Sequence, residues 1–426
     1  MVLNKIKNLT KLKQQLPHKD SLLVALDIGT ENVKALIGRV NGGEIEVIGV
    51  GRAHQNLSDM SSGAISDIAG VVANCDEALT QAEEMAGVSA KAAVVGIAGE
   101  LVKGTSTTVK FKRRDAATAI DMDEMERIIK LIQDRAFDAA KTQLGLELGT
   151  KDVEVRLVNS AIVSMSIDGQ RITNPIGFQG RDLSIQLYTA FAPLVHIGAL
   201  EQVCKELELD LVAVTAEPFA VARAVIGNDA TTNFSAVLVD VGGGTTDIAI
   251  VNDGGVEGTK MFGIGGRSYT RTLSHELGVD FETAEKLKLS LVNDDLPEKR
   301  RTTVEGALEK TLDVWMSGVE LALSEFDKLE HLPRKILLCG GGSSLEMLVE
   351  ALQEQSWYRE LPFTRKPIIQ HIKPSQVVGI VDKTGAIKDH LVITAMGLLR
   401  VGVDTVGEMT NEHATIKQRL NRLLSI

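Results

Sequence analysis

Apolar residues recur along this chain in two rhythms. Short aliphatic or β-branched runs end in glycine-rich turns, while longer stretches place an apolar residue at every third or fourth position. The first pattern predicts buried strands and the second amphipathic helices. Residues 22–26 read as a strand running into Asp27-Ile28-Gly29-Thr30, with 32–40 returning and 45–50 as a third strand. A helix through residue 86 carries Val71, Val72, Cys75, Leu79 and Ala82 on one side. From 91 to 206 the order is strand (92–98), basic loop (Lys110, Lys112, Arg113, Arg114), helix (121–141), strands (153–167 and 183–191) and helix (194–207). Met125, Ile128, Ile129 and Ile132 face inward on the first of these helices. Residues 211–214 resume the main pattern, followed by Glu217-Pro218 and a small-residue helix at 219–226. Strands at 236–239 and 248–251 flank a glycine turn, and helices follow to 277, over 281–291 and over 302–329. The last of these buries Leu308, Leu312, Trp315, Val319, Ala322 and Leu323. A strand at 335–339 and an apolar helix at 391–399 close the pattern, with Ala395 and Gly397 apt for close packing.

Three of these strands end in glycine clusters. Between 236–239 and 248–251 lies Asp240-Val241-Gly242-Gly243-Gly244-Thr245-Thr246-Asp247. Three successive glycines are a poor choice for a turn that only reverses the chain, because each adds unfolded-state entropy. They leave a backbone whose N–H groups can point at an anion. Thr245 and Thr246 add hydroxyl donors, and Asp240 sets a carboxylate where a hydrated metal ion could sit. Phosphate with Mg²⁺ suits that chemistry, and a ligand-free glycine hairpin is the bland alternative for this segment alone. Asp27-Ile28-Gly29-Thr30 repeats the unit about two hundred residues earlier, which predicts an internal duplication of one phosphate-gripping half-site. The third cluster, Gly340-Gly341-Gly342-Ser343-Ser344, opens a helix at Leu345, and Gly265-Gly266 opens another. Glu217 before Pro218 is an ordinary helix start, and is equally placed to orient a water at a phosphate site. Glu285 and Lys288 lie three apart on one helical face, where a surface ion pair is the simple reading.

Composition narrows the function classes. A chain of 426 residues accommodates roughly two to four domains. A net charge of -11 argues against nucleic acid as the main partner. The acidity is uneven: residues 1–20 carry five lysines against one aspartate, and Lys417, Arg419 and Arg422 near the end have no acid beside them. Basic ends on an acidic body point to an anionic surface such as a cytoplasmic leaflet. The first twenty residues read as a frayed basic arm. Cys75, Cys204 and Cys339 are in no metal-ligand spacing and read as reduced, buried thiols. No apolar run is long enough to cross a bilayer, and the N-terminus lacks the pattern of a secretory signal.

The order Asp-x-Gly-Thr, Asp-x-Gly-Gly-Gly-Thr, strand-Gly-Gly-Gly-Ser resembles the actin, sugar-kinase and Hsp70 superfamily of ATP-binding folds. Within it, Ile167-Asp168-Gly169-Gln170, Thr173-Asn174-Pro175-Ile176-Gly177, Gly265-Gly266, Ala284-Glu285-Lys286-Leu287-Lys288 and Ala395-Met396-Gly397-Leu398-Leu399 are similar to the bacterial FtsA cell-division family. The resemblance spans roughly residues 21–400 and the basic tail. It implies an α/β, actin-like two-domain ATPase fold, built from duplicated ribonuclease-H-like domains with an inserted α+β subdomain. The expected division is a basic arm at 1–20, a first ATPase subdomain at 21–90 with 207–225, and an inserted interaction subdomain at 91–206. A second ATPase domain follows at 226–400, its last helix (about 388–400) packing back on the first, then a linker at 401–414 and a membrane-targeting helix at 415–426.

The same resemblance implies ATP and Mg²⁺ as cofactors. Asp27, Gly29, Thr30 and Lys34 would form the first phosphate loop, and Gly242, Gly243, Gly244, Thr245 and Thr246 the second. Gly265, Gly266, Glu285 and Lys288 would lie near the nucleoside, as would Gly340, Gly341, Gly342 and Ser343. Asp27 and Asp240 would hold Mg²⁺ through water. Glu217 and Asp240 would be the catalytic pair, with Glu217 orienting the attacking water in what is at most a slow Mg-dependent ATPase. Glu31 departs from the small hydroxyl residue usual in the family, and a carboxylate there is expected to repel the γ-phosphate.

The function implied is that of a polymer-forming actin homologue, peripheral on the cytoplasmic face of the cell membrane. Its partners would be the division tubulin FtsZ, further copies of itself, other division proteins and anionic lipid. On the terminal helix, Ile416, Leu420, Leu423 and Leu424 share one face, and Lys417 and Arg422 flank it. A PilM-like pilus-assembly protein is the alternative within the same superfamily. A sugar kinase is disfavoured by the lack of an Asp base with a separate sugar pocket, and an Hsp70-type chaperone by the lack of a β-domain after residue 400.

Overall fold

The computed structural model describes residues 21–41, 44–150, 152–227, 233–354 and 356–410. The expected basic arm and the expected membrane helix at 415–426 lie outside the described residues. Strands β1 (Ser21–Ile28), β2 (Asn32–Asn41) and β3 (Glu44–His54) form an antiparallel meander. A short pair, β4 (Met60–Ser61) and β5 (Ala64–Ile65), leads to helix α1 (Ile68–Ala86) and strand β6 (Ala92–Ile97). Then come β7 (Lys103–Lys112), α2 (Met122–Leu148), β8 (Val155–Ile167), β9 (Gln170–Ile172) and β10 (Asp182–Pro193). Helix α3 (Leu194–Glu206), strand β11 (Asp210–Ala216) and helix α4 (Glu217–Ile226) follow. A second meander, β12 (Ala236–Val241), β13 (Thr246–Asn252) and β14 (Gly255–Phe262), precedes α5 (Gly266–Leu277), α6 (Phe281–Val292) and α7 (Glu298–Ser324). The chain continues through β15 (Lys335–Cys339), α8 (Glu346–Gln353), β16 (Ile368–His371) and β17 (Ile380–Asp382) to α9 (Ile393–Thr410).

The strands make two large sheets with one plan. In the first, β3-β2-β1-β6-β11 is a meander extended by strands parallel to β1. In the second, β14-β13-β12-β15-β16 repeats that order, with β15 parallel to β12 and β16 parallel to β15. The β1–β2 and β12–β13 turns are therefore equivalent positions of two copies. Strands buried on both faces need near-continuous apolar runs, and β12 and β13 are buried over almost their whole lengths.

Helices α4 and α9 pack on each other between the sheets. Gly397 makes that contact possible, because a Cβ there would lie 2.1 Å from the Ala220 carbonyl oxygen. On α2 the predicted Met125, Ile128, Ile129 and Ile132 are buried against Val109, Met165, Ile185 and Leu187 of the strands beneath. Aspartate caps start α1 and α2, and left-handed Gly87 and Gly149 end them. Each aspartate cap is worth about 1 kcal/mol.

Several boundaries differ from the sequence reading. Strand β6 sits inside the first sheet, between β1 and β11, so the piece interrupting that sheet begins after it rather than at 91. The expected basic loop is largely strand β7: Lys110 and Lys112 alternate on it and pair with Ser184 and Asp182 of β10. Strands β7, β10, β8 and β9 then extend the second sheet from the β14 edge. Helix α7 ends at Ser324, not 329. The third glycine cluster first makes a short 3₁₀ turn, Gly341–Ser344, and α8 begins only at Glu346. Helix α9 runs to Thr410, so the first ten residues of the expected linker are helical.

Candidate functional site

The two equivalent hairpins and the third glycine turn meet at one cleft of about 490 Å³. Asp27 ends β1, and Lys34 lies opposite it on β2 in the hairpin register, so the turn itself brings their side chains together. Lys34 Nζ donates to Asp27 Oδ2 at 2.8 Å. Asp240 and Asp247 are likewise opposed across β12 and β13. Asp240 Oδ2 accepts a 2.5 Å hydrogen bond from Thr394 Oγ1, at the start of α9. Thr245 Oγ1 donates to Asp247 Oδ2 at 2.9 Å, while Asp247 Oδ1 is buried with no hydrogen-bond partner among the described residues. Glu217, at the first turn of α4, is buried and lines the same cleft.

Three buried carboxylates, Asp27, Asp240 and Glu217, thus act on Lys34, and Asp247 adjoins Asp240. Burial pushes the Glu217 carboxyl well above its ordinary range, and Asp27, Asp247 and Asp240 push it further. Burial also raises Asp240, against the hydrogen bond from Thr394. Asp247 is pushed up to about 8 by burial and by Asp240. Burial opposes the charge on Lys34, but Asp27, Asp240 and Glu217 outweigh it and lift its pKa. Such a cluster is short of positive charge, and a divalent cation would supply it. The donors are all oxygens, as Mg²⁺ prefers. Among the described residues no three acidic, imidazole or thiol groups converge tightly enough to ligate a metal directly.

Most expected nucleotide residues line the cleft: Asp27, Gly29, Thr30, Lys34, Gly242, Gly243, Thr245, Gly266, Glu285, Lys288 and Gly340 to Gly342. Gly244, Thr246, Gly265 and Ser343 do not, and they brace its walls instead. A Cβ on Gly244 would meet Thr30 Oγ1 at 2.6 Å, and one on Gly265 would meet the Gly242 oxygen at 2.7 Å. Thr246 Oγ1 donates to the Ile264 carbonyl and accepts from Trp315 Nε1. Ser343 Oγ donates to the Gly340 carbonyl. Gly340 has φ +80°, and a Cβ there would fall 2.0 Å from Asp240 Oδ1. Lys288 is not a surface partner of Glu285: it is buried, bonding Glu285 at 2.7 Å, Thr270 Oγ1 at 2.9 Å and the Gly266 carbonyl at 3.1 Å.

The expected repulsion by Glu31 is corrected by its partner. Arg267 Nε donates to Glu31 Oε2 at 2.6 Å, so this carboxylate is charge-paired rather than bare. Sequence reasoning gave no role to Arg267 or Thr394, and read Asp247 only as the end of the second hairpin's motif. It also missed a stacked pair behind the third glycine turn, His371 and His390, with centroids 4.1 Å apart. His390 Nε2 bonds Ser344 Oγ at 3.1 Å, and burial followed by His371 pushes its pKa down to about 4. Asp247 was visible as the acid closing the Asp240 motif; the others are set by tertiary contact.

The chain is similar in sequence and in fold to known proteins. The family model described as "Cell division protein FtsA" matches residues 237–397. The FtsA of Pseudomonas aeruginosa is 26% identical over 403 residues, covering 90% of this chain and 89% of that protein. The FtsA of Streptococcus pneumoniae is 28% identical, covering 79% of this chain and 74% of the relative. Among solved structures, a PilM-PilN type IV pilus biogenesis complex superposes with TM-score 0.64 at 15% identity, over 91% of this chain and 99% of the other. The likeness to that structure is one of fold, a mixed α/β fold.

Proposed function

We propose that the chain is a member of the FtsA family of cell-division proteins, an ATP- and Mg²⁺-binding actin homologue that polymerises. It would tether the division tubulin FtsZ to the inner face of the cytoplasmic membrane and recruit later division proteins. The observation that carries the nucleotide part is the meeting of two equivalent Asp-bearing hairpins at one cleft, with Asp27, Asp240 and Glu217 acting on a single lysine. Bound Mg²⁺ would neutralise charge on the β- and γ-phosphates. Asp27 and Asp240 hold its water shell, and Lys34 stays charged beside them. The hairpin N–H groups at Gly29, Thr30 and Gly243 to Thr245 would hold the phosphates, with the Gly242 N–H closing the turn onto the Thr245 carbonyl and Gly265 and Thr246 fixing the backbone. Glu285, Lys288 and the Gly340–Gly342 turn flank the nucleoside. Glu217, its pKa raised by burial and by Asp27, is suited to accept a proton from a water it orients. Turnover is slow because positioning and charge are the only means available.

The segment added at β7 to β10 serves association, since it lies away from the cleft and contributes no lining residue. The terminal residues Ile416, Lys417, Leu420, Arg422, Leu423 and Leu424 anchor the protein to anionic lipid. The pilus-assembly reading has a fold likeness in its favour, whereas the sequence relatives named above are division proteins.

Calorimetric titration of ATP with and without Mg²⁺ tests the site. Asp27→Asn with Asp240→Asn should remove the Mg²⁺ dependence. A folded double variant that binds Mg-ATP as tightly as the parent would overturn the assignment. Filaments on anionic liposomes in the presence of ATP, with FtsZ co-sedimenting, test the tethering role. Their absence would return the protein to the pilus-type alternative.

A further inference from the structure

Glu31 and Arg267 lie 236 residues apart in the chain and on opposite domains, at the edge of the cleft where the two hairpins touch. Glu31 follows the first hairpin's Gly29-Thr30, and Arg267 sits in the first turn of α5. Their 2.6 Å contact is one part of a larger clamp. The Arg267 guanidinium also donates to the carbonyl oxygens of Gln55 at 3.1 Å, Asn56 at 3.4 Å and Met60 at 3.5 Å, all in the first domain. Its own N–H donates to the Gly243 carbonyl at 2.8 Å, which fixes it to the second hairpin. Arg267 is 4% exposed and Glu31 20%. On the other side, the Glu31 carbonyl accepts from the Gln55 N–H at 3.0 Å. A Cβ on Gly243 would lie 2.6 Å from that of Glu31, so the hairpins already touch at this point.

We propose that the Glu31–Arg267 pair is an interdomain strap that holds the cleft closed with or without nucleotide and thereby limits how fast nucleotide enters and leaves. The inference rests on the nucleotide-binding reading of the cleft. Every bond of the strap is made by the protein to itself, so no ligand is needed to complete it. On this proposal, passage through the mouth requires the two hairpins to part, and Arg267 then leaves a carboxylate and three carbonyls together. A guanidinium serves this better than an ammonium, because its fork of donors reaches several acceptors at once. On this proposal the same bonds stand with the site empty or filled, so weakening them lowers one barrier for both directions. Exchange accelerates while the equilibrium affinity stays nearly fixed.

The test is stopped-flow entry and release of a fluorescent ATP analogue with Mg²⁺ on the full chain. Arg267→Gln and Glu31→Gln should each raise both the association and the dissociation rate by about tenfold, leaving Kd within about threefold. Arg267→Lys should fall between them and the parent. A rise in dissociation alone, with Kd weakened by the same factor, would make Arg267 a phosphate contact and overturn the strap. Unchanged rates in both variants would also overturn it. A second measurement is independent of nucleotide. Spin labels at the exposed positions Glu84→Cys and Glu309→Cys should give one narrow distance distribution in the nucleotide-free parent and a longer, broader one with Arg267→Gln. If the parent binds no nucleotide, the functional reading fails and this distance alone judges the strap; an unchanged distance refutes it.

Discussion

Thr394 donates its hydroxyl to Asp240 Oδ2 at 2.5 Å across 154 residues of chain. The bond ties the helix that packs on the first domain to the carboxylate at the centre of the second hairpin. It also opposes the rise that burial imposes on the Asp240 pKa. Thr394→Val keeps the shape and removes the donor. The buried carboxylate then loses a partner, which costs about 1–3 kcal/mol of stability. Thermal unfolding should show the loss. Calorimetry should show a higher Mg²⁺ requirement for ATP, most marked at low pH, where Asp240 now holds its proton more readily. Unaltered Mg²⁺ dependence would mean that Asp240 does not meet the ion.

Two neighbouring glycines should respond oppositely to the same substitution. Gly340 has a left-handed backbone, and its missing Cβ leaves room for Asp240 Oδ1. Gly340→Ala therefore forces the loop and the carboxylate apart, with backbone strain of about 1–3 kcal/mol added to the clash. At Gly341 a Cβ would meet only Leu391 Cδ2 at 3.8 Å, an ordinary contact. Gly341→Ala should leave unfolding unchanged. Equal stability losses at both positions in chemical denaturation would contradict this account of the turn.

Most of the fold was legible because its signals are local. The runs before Asp27, Asp240 and Gly340 announced buried strands, and the inward residues of α2 and most of those of α7 followed from helical spacing. The resemblance supplied the order of the loops. What local pattern could not give was partnership across the chain. A strand with polar alternation, such as Lys103–Lys112, looks like a basic loop until β10 pairs with it. Strand β6 carries no mark that it belongs beside β1 rather than with the segment that follows. Glu31 looked like an unpaired charge because Arg267 is 236 positions away. Thr246 looked like a phosphate donor, yet its hydroxyl is taken by Ile264 and Trp315.

The terminal residues 415–426 make a separate prediction from sequence alone. Ile416, Leu420, Leu423 and Leu424 fall on one helical face, flanked by Lys417 and Arg422. Basic residues near an anionic leaflet contribute about 1 kcal/mol each, and buried leucines add an apolar part. Leu420→Glu with Leu424→Glu should abolish co-sedimentation with anionic liposomes and leave ATP affinity unchanged. Continued pelleting of this variant would move the anchor elsewhere, with the lysines of residues 1–20 the next candidates.

The last prediction follows from Asp247. Its carboxyl is pushed up to about 8 in the folded protein, against an ordinary value of 3.8, by burial and then by Asp240. Between those values the unfolded chain gives up this proton while the folded chain keeps it. Folding stability from this group is therefore full below about pH 4 and is lost as pH rises towards about 8. Glu217 and Asp240 are shifted the same way and add to the slope. Asp247→Asn removes the titrating proton but keeps an oxygen to accept from Thr245 Oγ1. Denaturant unfolding of the nucleotide-free parent should show stability falling from pH 6 to pH 8, and the variant should show a visibly flatter line. Adding ATP with Mg²⁺ should oppose the fall in the parent, because a bound cation favours the ionised carboxylates. A parent whose stability is level across this range, or a variant that keeps the full slope, would mean that Asp247 is ionised in the folded cleft.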